Sequence, residues 1–122
     1  MKKKYLIVIA DYYKDISKGL LDSALKEIPK FSFIKIIKVP GVFEIPVTIS
    51  KNIKKYDGFL ALGCVIKGET PHFDFISLAS TNAIMDLSIN NKKPIGNGII
   101  TCLNMRQAKA RKKKGEEAAK AV

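Results

Sequence analysis

Tryptophan is absent from this chain of 122 residues, histidine occurs once, cysteine twice and arginine only at Arg106 and Arg111. Each scarcity removes a class of chemistry. Cys64, Cys102 and the lone His72 do not make the ligand cluster of a structural zinc site, and two thiols in so long a chain are no disulfide framework. Long apolar runs are missing too: none approaches the roughly 18 residues that cross a bilayer. The run Tyr5-Leu6-Ile7-Val8-Ile9-Ala10 follows Lys2-Lys3-Lys4 and so superficially resembles a secretory signal. It stops at Asp11, however, and no small-residue cleavage pattern comes after it. A first β-strand with a basic lead-in is the better reading, and the chain is expected to be cytoplasmic and not membrane-bound. No Gly-x-Gly-x-x-Gly follows that strand and no Walker-type loop occurs, which argues against a dinucleotide or nucleoside triphosphate.

Acidic residues are outnumbered two to one: 22 basic against 11, for a formal net charge of +11. Nucleic-acid binding is the obvious proposal. Yet the cations are 20 lysines and two arginines, whereas base-edge and bidentate phosphate recognition favour arginine. The lysines are spread along the chain, apart from Lys2–Lys4 and Lys112–Lys114. We therefore expect no nucleic-acid partner; the same field would help an anionic small molecule. With 47% hydrophobic residues and a mean hydropathy near zero, at +0.03, the composition is that of one globular domain spanning 1–122.

Periodicity then gives the order of elements. Tyr5–Ala10 has strand length. Ile16, Leu20, Leu21, Ala24, Leu25 and Ile28 repeat at helical spacing up to Pro29. Phe31–Val39 is β-rich and stops at Pro40-Gly41. Ile45, Val47, Ile49 and Ile53 suggest a short helix, with Pro46 tolerable in its first turn. Phe59–Ile66 is a third strand, Phe73 to Ile89 a long helix closed by Asn90-Asn91, and Ile95–Thr101 a fourth strand interrupted by Gly96 and Gly98. Gln107 onward is helical, with Gly115 placed to divide it. Strict alternation with strands apolar on both faces predicts a parallel sheet covered by helices. Such sheets bind ligands outside the carboxyl ends of their strands. The candidate segments are therefore 11–13, 41–44, 64–72 and 97–102.

The third of these is the most informative. The apolar run up to Ile66 breaks into Lys67-Gly68-Glu69-Thr70-Pro71-His72, and a long helical pattern follows. A strand that delivers a loop straight into a helix start offers N–H groups to an anion, and His72 can move a proton near neutral pH. Taken alone, the pattern equally suits an ordinary strand–loop–helix connection.

Four segments together resemble the 6,7-dimethyl-8-ribityllumazine synthase family. They are Pro40-Gly41-Val42-Phe43-Glu44-Ile45-Pro46; the stretch from Leu62-Gly63-Cys64-Val65-Ile66 through Thr70-Pro71-His72-Phe73-Asp74; Pro94 to Thr101; and Gln107-Ala108 with Arg111. The resemblance covers nearly the whole chain. It implies a flavodoxin-like three-layer α/β sandwich, a four-stranded parallel sheet with helices on both faces. It also implies a transferase that needs no cofactor and no metal. The enzyme condenses 5-amino-6-(D-ribitylamino)uracil with 3,4-dihydroxy-2-butanone 4-phosphate, releasing phosphate and water, in the penultimate step of riboflavin biosynthesis.

Residue by residue, the resemblance places His72 as the general acid/base, with Asp74 orienting it or capping the helix. Tyr12, Val42, Phe43, Glu44, Cys64, Val65 and Ile66 would contact the pyrimidine and its ribityl chain, joined by Asn97 from a neighbouring subunit. Glu69 (through its backbone N–H), Thr70, Arg111 and Lys114 would hold the phosphate. Cys64 is expected to act through its backbone and not as a nucleophile. Where the family has arginine, an aromatic and asparagine after the first strand, this chain has Asp11-Tyr12-Tyr13, which leaves open which tyrosine stacks. The implied partners are further copies of the chain in a homopentamer, with riboflavin synthase as a further candidate. The short N-terminus and the trimmed segment between Arg111 and Gly115 favour the bare pentamer over a larger shell. A non-catalytic lumazine carrier on the same scaffold could dispense with His72 and Arg111, and both are present.

Overall fold

Strands and helices alternate along the computed structural model, which describes residues 2–68 and 71–122. In order they are β1 (Lys4–Ala10), α1 (Lys14–Glu27), β2 (Phe33–Val39), a 3-10 turn (Val42–Glu44) running into α2 (Ile45–Lys51), β3 (Gly58–Ile66), α3 (His72–Asn91), β4 (Ile95–Cys102), α4 (Met105–Arg111) and α5 (Gly115–Lys120). Pro46 does sit in the first turn of α2, where its missing N–H has no intrahelical partner to lose. Ile53 lies beyond that helix. The second strand starts two residues later than its composition suggests, because Ser32 N–H donates back to the Pro29 carbonyl at 3.0 Å and holds Phe31 in a turn.

The strands form one parallel sheet in the order β2-β1-β3-β4. Residues 58–65 of β3 are buried throughout, and alternate side chains leave the sheet on opposite faces. Ile7, Ile9, Leu60, Leu62 and Cys64 pack with Ile16, Leu20 and Ala24 of α1, Ala108 of α4 and Ala118 of α5. Leu6, Val8, Ala10, Phe59, Ala61 and Val65 pack on the other face with Ile45 and Ile49 of α2 and Ile84 of α3. The result is a three-layer, flavodoxin-like sandwich.

Two departures from simple pattern reading have packing causes. Gly96 and Gly98 do not weaken β4 without return: a Cβ on Gly96 would run into the Ala118 carbonyl oxygen, and one on Gly115 into that of Leu20. Glycine at these places lets α5 lie directly on β4 and α1. The second strand, expected to be covered on both faces, is instead an edge. Phe33, Lys35, Ile36 and Lys38 are exposed along it, and lysines on an open edge discourage strand pairing.

The amino-terminal rim of the sheet is tied shut. Lys93 Nζ donates to the carbonyls of Ile53 (2.6 Å) and Tyr56 (2.9 Å), and the Asp57 carboxylate accepts from Lys4 N–H at 2.7 Å. The chain moves outward from β1 to β2, then returns across β1 to β3. A crevice must therefore open between the carboxyl ends of β1 and β3, the switch point at which open α/β sheets take ligands.

Candidate active site

A cavity of about 600 Å³ occupies that crevice, lined by Tyr12, Tyr13, Gly41, Val42, Phe43, Glu44, Cys64, Val65, Ile66, His72 and Ile76. Its volume is that of a small-molecule site. The end of β1 contributes the two tyrosines. Asp11 N–H donates to the Val39 carbonyl at 3.2 Å, and Ser17 Oγ donates to the Ala10 carbonyl at 2.7 Å, which fixes the turn into α1. The end of β2 contributes the 3-10 turn, closed by Glu44 N–H on the Gly41 carbonyl at 3.1 Å, with the Glu44 carboxylate lying back over Gly41. The end of β3 supplies the floor: Cys64 and Val65 are buried, as is Val42 above them.

Two large rings stay out of the core here. Tyr12 is 74% exposed and Phe43 67%, one from each strand end, so both faces are free to receive a flat ligand. Tyr13 is more deeply set, packed against the core cluster under α1. The rings of Tyr12 and Tyr13 meet edge to face, centroids 4.9 Å apart at 82°. Burial, and to a lesser degree the neighbouring Tyr12 and Cys64, push the Tyr13 phenol above its ordinary pKa.

His72 is the first residue of α3 and stands exposed at the cavity rim. Asp74 shares that first turn. Burial, followed by the adjacent Cys102, pushes the Cys64 thiol up to about 12, away from the thiolate form that reacts. Among the described residues no cluster of His, Cys, Asp and Glu is gathered for a metal. Glu69 and Thr70 lie outside the described residues.

Asn97, Arg111 and Lys114 do not line this cavity. Asn97 and Thr101 are exposed on β4, with Asn97 Oδ1 accepting from Ile99 N–H at 3.0 Å. Arg111 Nη1 donates to the Thr101 carbonyl at 3.3 Å. Lys114 pairs with Glu117 at 3.8 Å, both largely exposed. Such an exposed pair is worth about 0–1 kcal/mol. A charged hydrogen bond to a phosphate is worth about 1.5–3 kcal/mol, so Lys114 is easily released to one.

The chain thus carries an apolar, aromatic-flanked cavity with a carboxylate and an imidazole at its edge, and a separate cationic face. Pattern reading placed Gly41 in a candidate segment, left Tyr13 as an alternative and did not single out Ile76 as a lining residue. The signal for Ile76 was present: it lies one helical turn after His72, on the same side of α3.

The sequence profile of the 6,7-dimethyl-8-ribityllumazine synthase family matches residues 2–122. A protein named 6,7-dimethyl-8-ribityllumazine synthase from Bartonella bacilliformis is 46% identical over 117 residues, covering 92% of this chain and 77% of its own. One named 6,7-dimethyl-8-ribityllumazine synthase 1 from Rhodopseudomonas palustris is 43% identical, covering 93% and 74%. A third, named 6,7-dimethyl-8-ribityllumazine synthase, from Agrobacterium fabrum is 42% identical, covering 96% and 85%. With the match running through all four strand ends and the cavity formed from three of them, the chain belongs to the 6,7-dimethyl-8-ribityllumazine synthase family.

Proposed function

We propose that this protein is a transferase that condenses 5-amino-6-(D-ribitylamino)uracil with 3,4-dihydroxy-2-butanone 4-phosphate to give 6,7-dimethyl-8-ribityllumazine, phosphate and water. The observation that carries this reading is the cavity itself. Two segments far apart in the chain that match the family, 40–46 and 62–74, meet there with the end of β1 around a space of the right size for a pyrimidine with a polyol chain.

The chemistry asks little of any one side chain. The uracil's 5-amino group attacks the ketone and an imine forms with loss of one water. Phosphate is then eliminated to leave an enol, which tautomerises to a new ketone at the former hydroxyl-bearing carbon, and that carbonyl closes on the second nitrogen with loss of another water. The sum is redox-neutral, so its balance needs no electron acceptor. An amine meeting a ketone is already reactive, and holding the two together is worth far more than one proton transfer. Tyr12 and Phe43 flank the pyrimidine, Glu44 accepts from the ribityl hydroxyls, and the buried strand end Cys64–Ile66 offers its backbone. His72 moves the protons of imine formation and phosphate loss. Glu69 and Thr70 join Arg111 and Lys114 at the phosphate.

The active form in this reading is a homopentamer, in which Asn97, Arg111 and Lys114 of one subunit complete the cavity of the next. What supports it is an apolar stripe along α3. Phe75, Leu78, Met85 and Ile89 are 57–67% exposed and recur at spacings of three, seven and four. Those spacings put them on one helix face, as in a helix that packs against its own copies. Beside them Phe43, Pro46, Val47, Ala79 and Ala83 form a second apolar recess. A head-to-tail contact of this kind closes into a ring when its rotation fits. A cytoplasmic location agrees with two buried, unpaired thiols.

The test mixes the purified protein with both substrates in the presence of a chelator and follows the lumazine's absorption and fluorescence. Product forming faster than the spontaneous reaction is expected; a rate equal to the spontaneous one would defeat the reading. Light scattering on the same sample measures the assembly.

A further inference from the structure

Tyr13 stands at the N-cap of α1, a position that favours Ser, Thr, Asp or Asn because a side-chain oxygen there accepts from the helix's first free N–H groups. Tyrosine cannot do this, and no side-chain capping bond is made. Only its carbonyl serves the helix, accepting from Ser17 N–H at 2.9 Å. The chain has set aside a stabilising contact at this position, and such local violations concentrate at functional sites.

What the ring does instead is visible in its surroundings. One side packs on the core under α1, another faces the cavity, and its contact with Tyr12 is the edge-to-face arrangement, at 4.9 Å, that aromatic pairs prefer. Tyr12 projects from a turn and is 74% exposed. An exposed ring free to change rotamer would have to be ordered on binding, and ordering costs affinity.

We propose that Tyr13 is a positioning residue: packed against the core, its ring holds Tyr12 in place as a wall of the pyrimidine site and thereby sets the affinity for the pyrimidine substrate alone. This rests on the activity proposed above. The Tyr13 hydroxyl has no part in it.

Steady-state kinetics on Tyr13→Phe, Tyr13→Leu, Tyr12→Ala and the double variant Tyr12→Ala/Tyr13→Leu test the inference. Leucine keeps apolar bulk under α1, so the fold is retained, and thermal melts verify this. Tyr13→Leu should raise KM for the ribitylaminouracil about three- to tenfold, the scale of one aromatic pair. The KM for the butanone phosphate and kcat should stay within about twofold. Tyr13→Phe should behave as wild type. The double variant should bind the pyrimidine no worse than Tyr12→Ala alone, since Tyr13 acts only through Tyr12. An unchanged pyrimidine KM in Tyr13→Leu, an equal rise for both substrates, or additive losses in the double variant would each overturn the proposal. Turnover by the wild-type chain, measured alongside, tests the activity separately from the role of Tyr13.

Discussion

The cavity at the ends of β1, β2 and β3 and the open face of β4 with α4 are built on opposite plans. In the cavity the floor is rigid: Val42, Cys64 and Val65 are less than a tenth exposed, and β3 beneath them is buried along almost its whole length. On the β4 side Asn97, Thr101, Arg111 and Lys114 are exposed, and their contacts are of the exchangeable kind, a 3.3 Å hydrogen bond and a 3.8 Å ion pair. In the proposed reaction the two faces recognise different groups. A flat apolar ring is bound by surfaces ordered in advance. A phosphate is bound by cations that give up weak local partners for a stronger one. In the proposed pentamer the second face would also meet a neighbour, which an open face permits.

The most severe way to break this division is to separate the subunits of the proposed pentamer. Leu78→Glu with Met85→Glu places carboxylates at positions 64% and 57% exposed in the single chain, so folding should survive. We expect a monomer by light scattering, with turnover falling to the spontaneous rate. A monomer that turns over substrate normally would show that one subunit holds a complete site.

Removing the proton carrier comes next. His72→Ala should lower kcat by no more than about 10²-fold, the low end for general acid–base groups, with both KM values little changed. A total loss, with folding and binding intact, would mean that His72 does more than move protons.

The third variant sharpens the assignment of the two faces. Arg111→Ala should raise KM for the butanone phosphate roughly ten- to a hundredfold, matching about 1.5–3 kcal/mol for a charged hydrogen bond, while the pyrimidine is hardly affected. Equal weakening of both substrates would move Arg111 out of the phosphate half.

The smallest effect belongs to Cys64. Its thiol, raised to about 12, should resist iodoacetamide in the native protein at about pH 8.5, where an ordinary thiol is half ionised, and should react readily once the chain is unfolded. Cys64→Ala should change kcat and KM by less than about twofold. The raised pKa also has a stability consequence. The folded state keeps this proton longer than the unfolded one, so its contribution is fully present below about pH 9 and is lost as the pH rises toward 12. Rapid native alkylation would show that the cavity floor is looser than its burial indicates.

Much of this was legible in the residues alone. Apolar runs and helical spacings are local properties, so the alternation of elements, the long third helix over Phe73–Ile89 and the division of the C-terminal helix near Gly115 follow from the sequence. The strand-end segments 41–44 and 64–66 were legible as well, because a parallel sheet forces ligand contacts to its carboxyl edge. What the sequence could not decide depends on contacts between distant segments. It left β2 looking like any other apolar strand, and only the order β2-β1-β3-β4 made it an edge with Phe33 and Ile36 exposed. Gly96 read as a flaw in β4 until α5 was seen lying against it. Two adjacent tyrosines could not be told apart by pattern, since the turn after β1 offers no periodicity. Packing of α1 sets Tyr13 partly against the core, while Tyr12 stands exposed. Local patterns determine which elements form and where their ends fall; how segments far apart in the chain pack together decides which of those ends become a site.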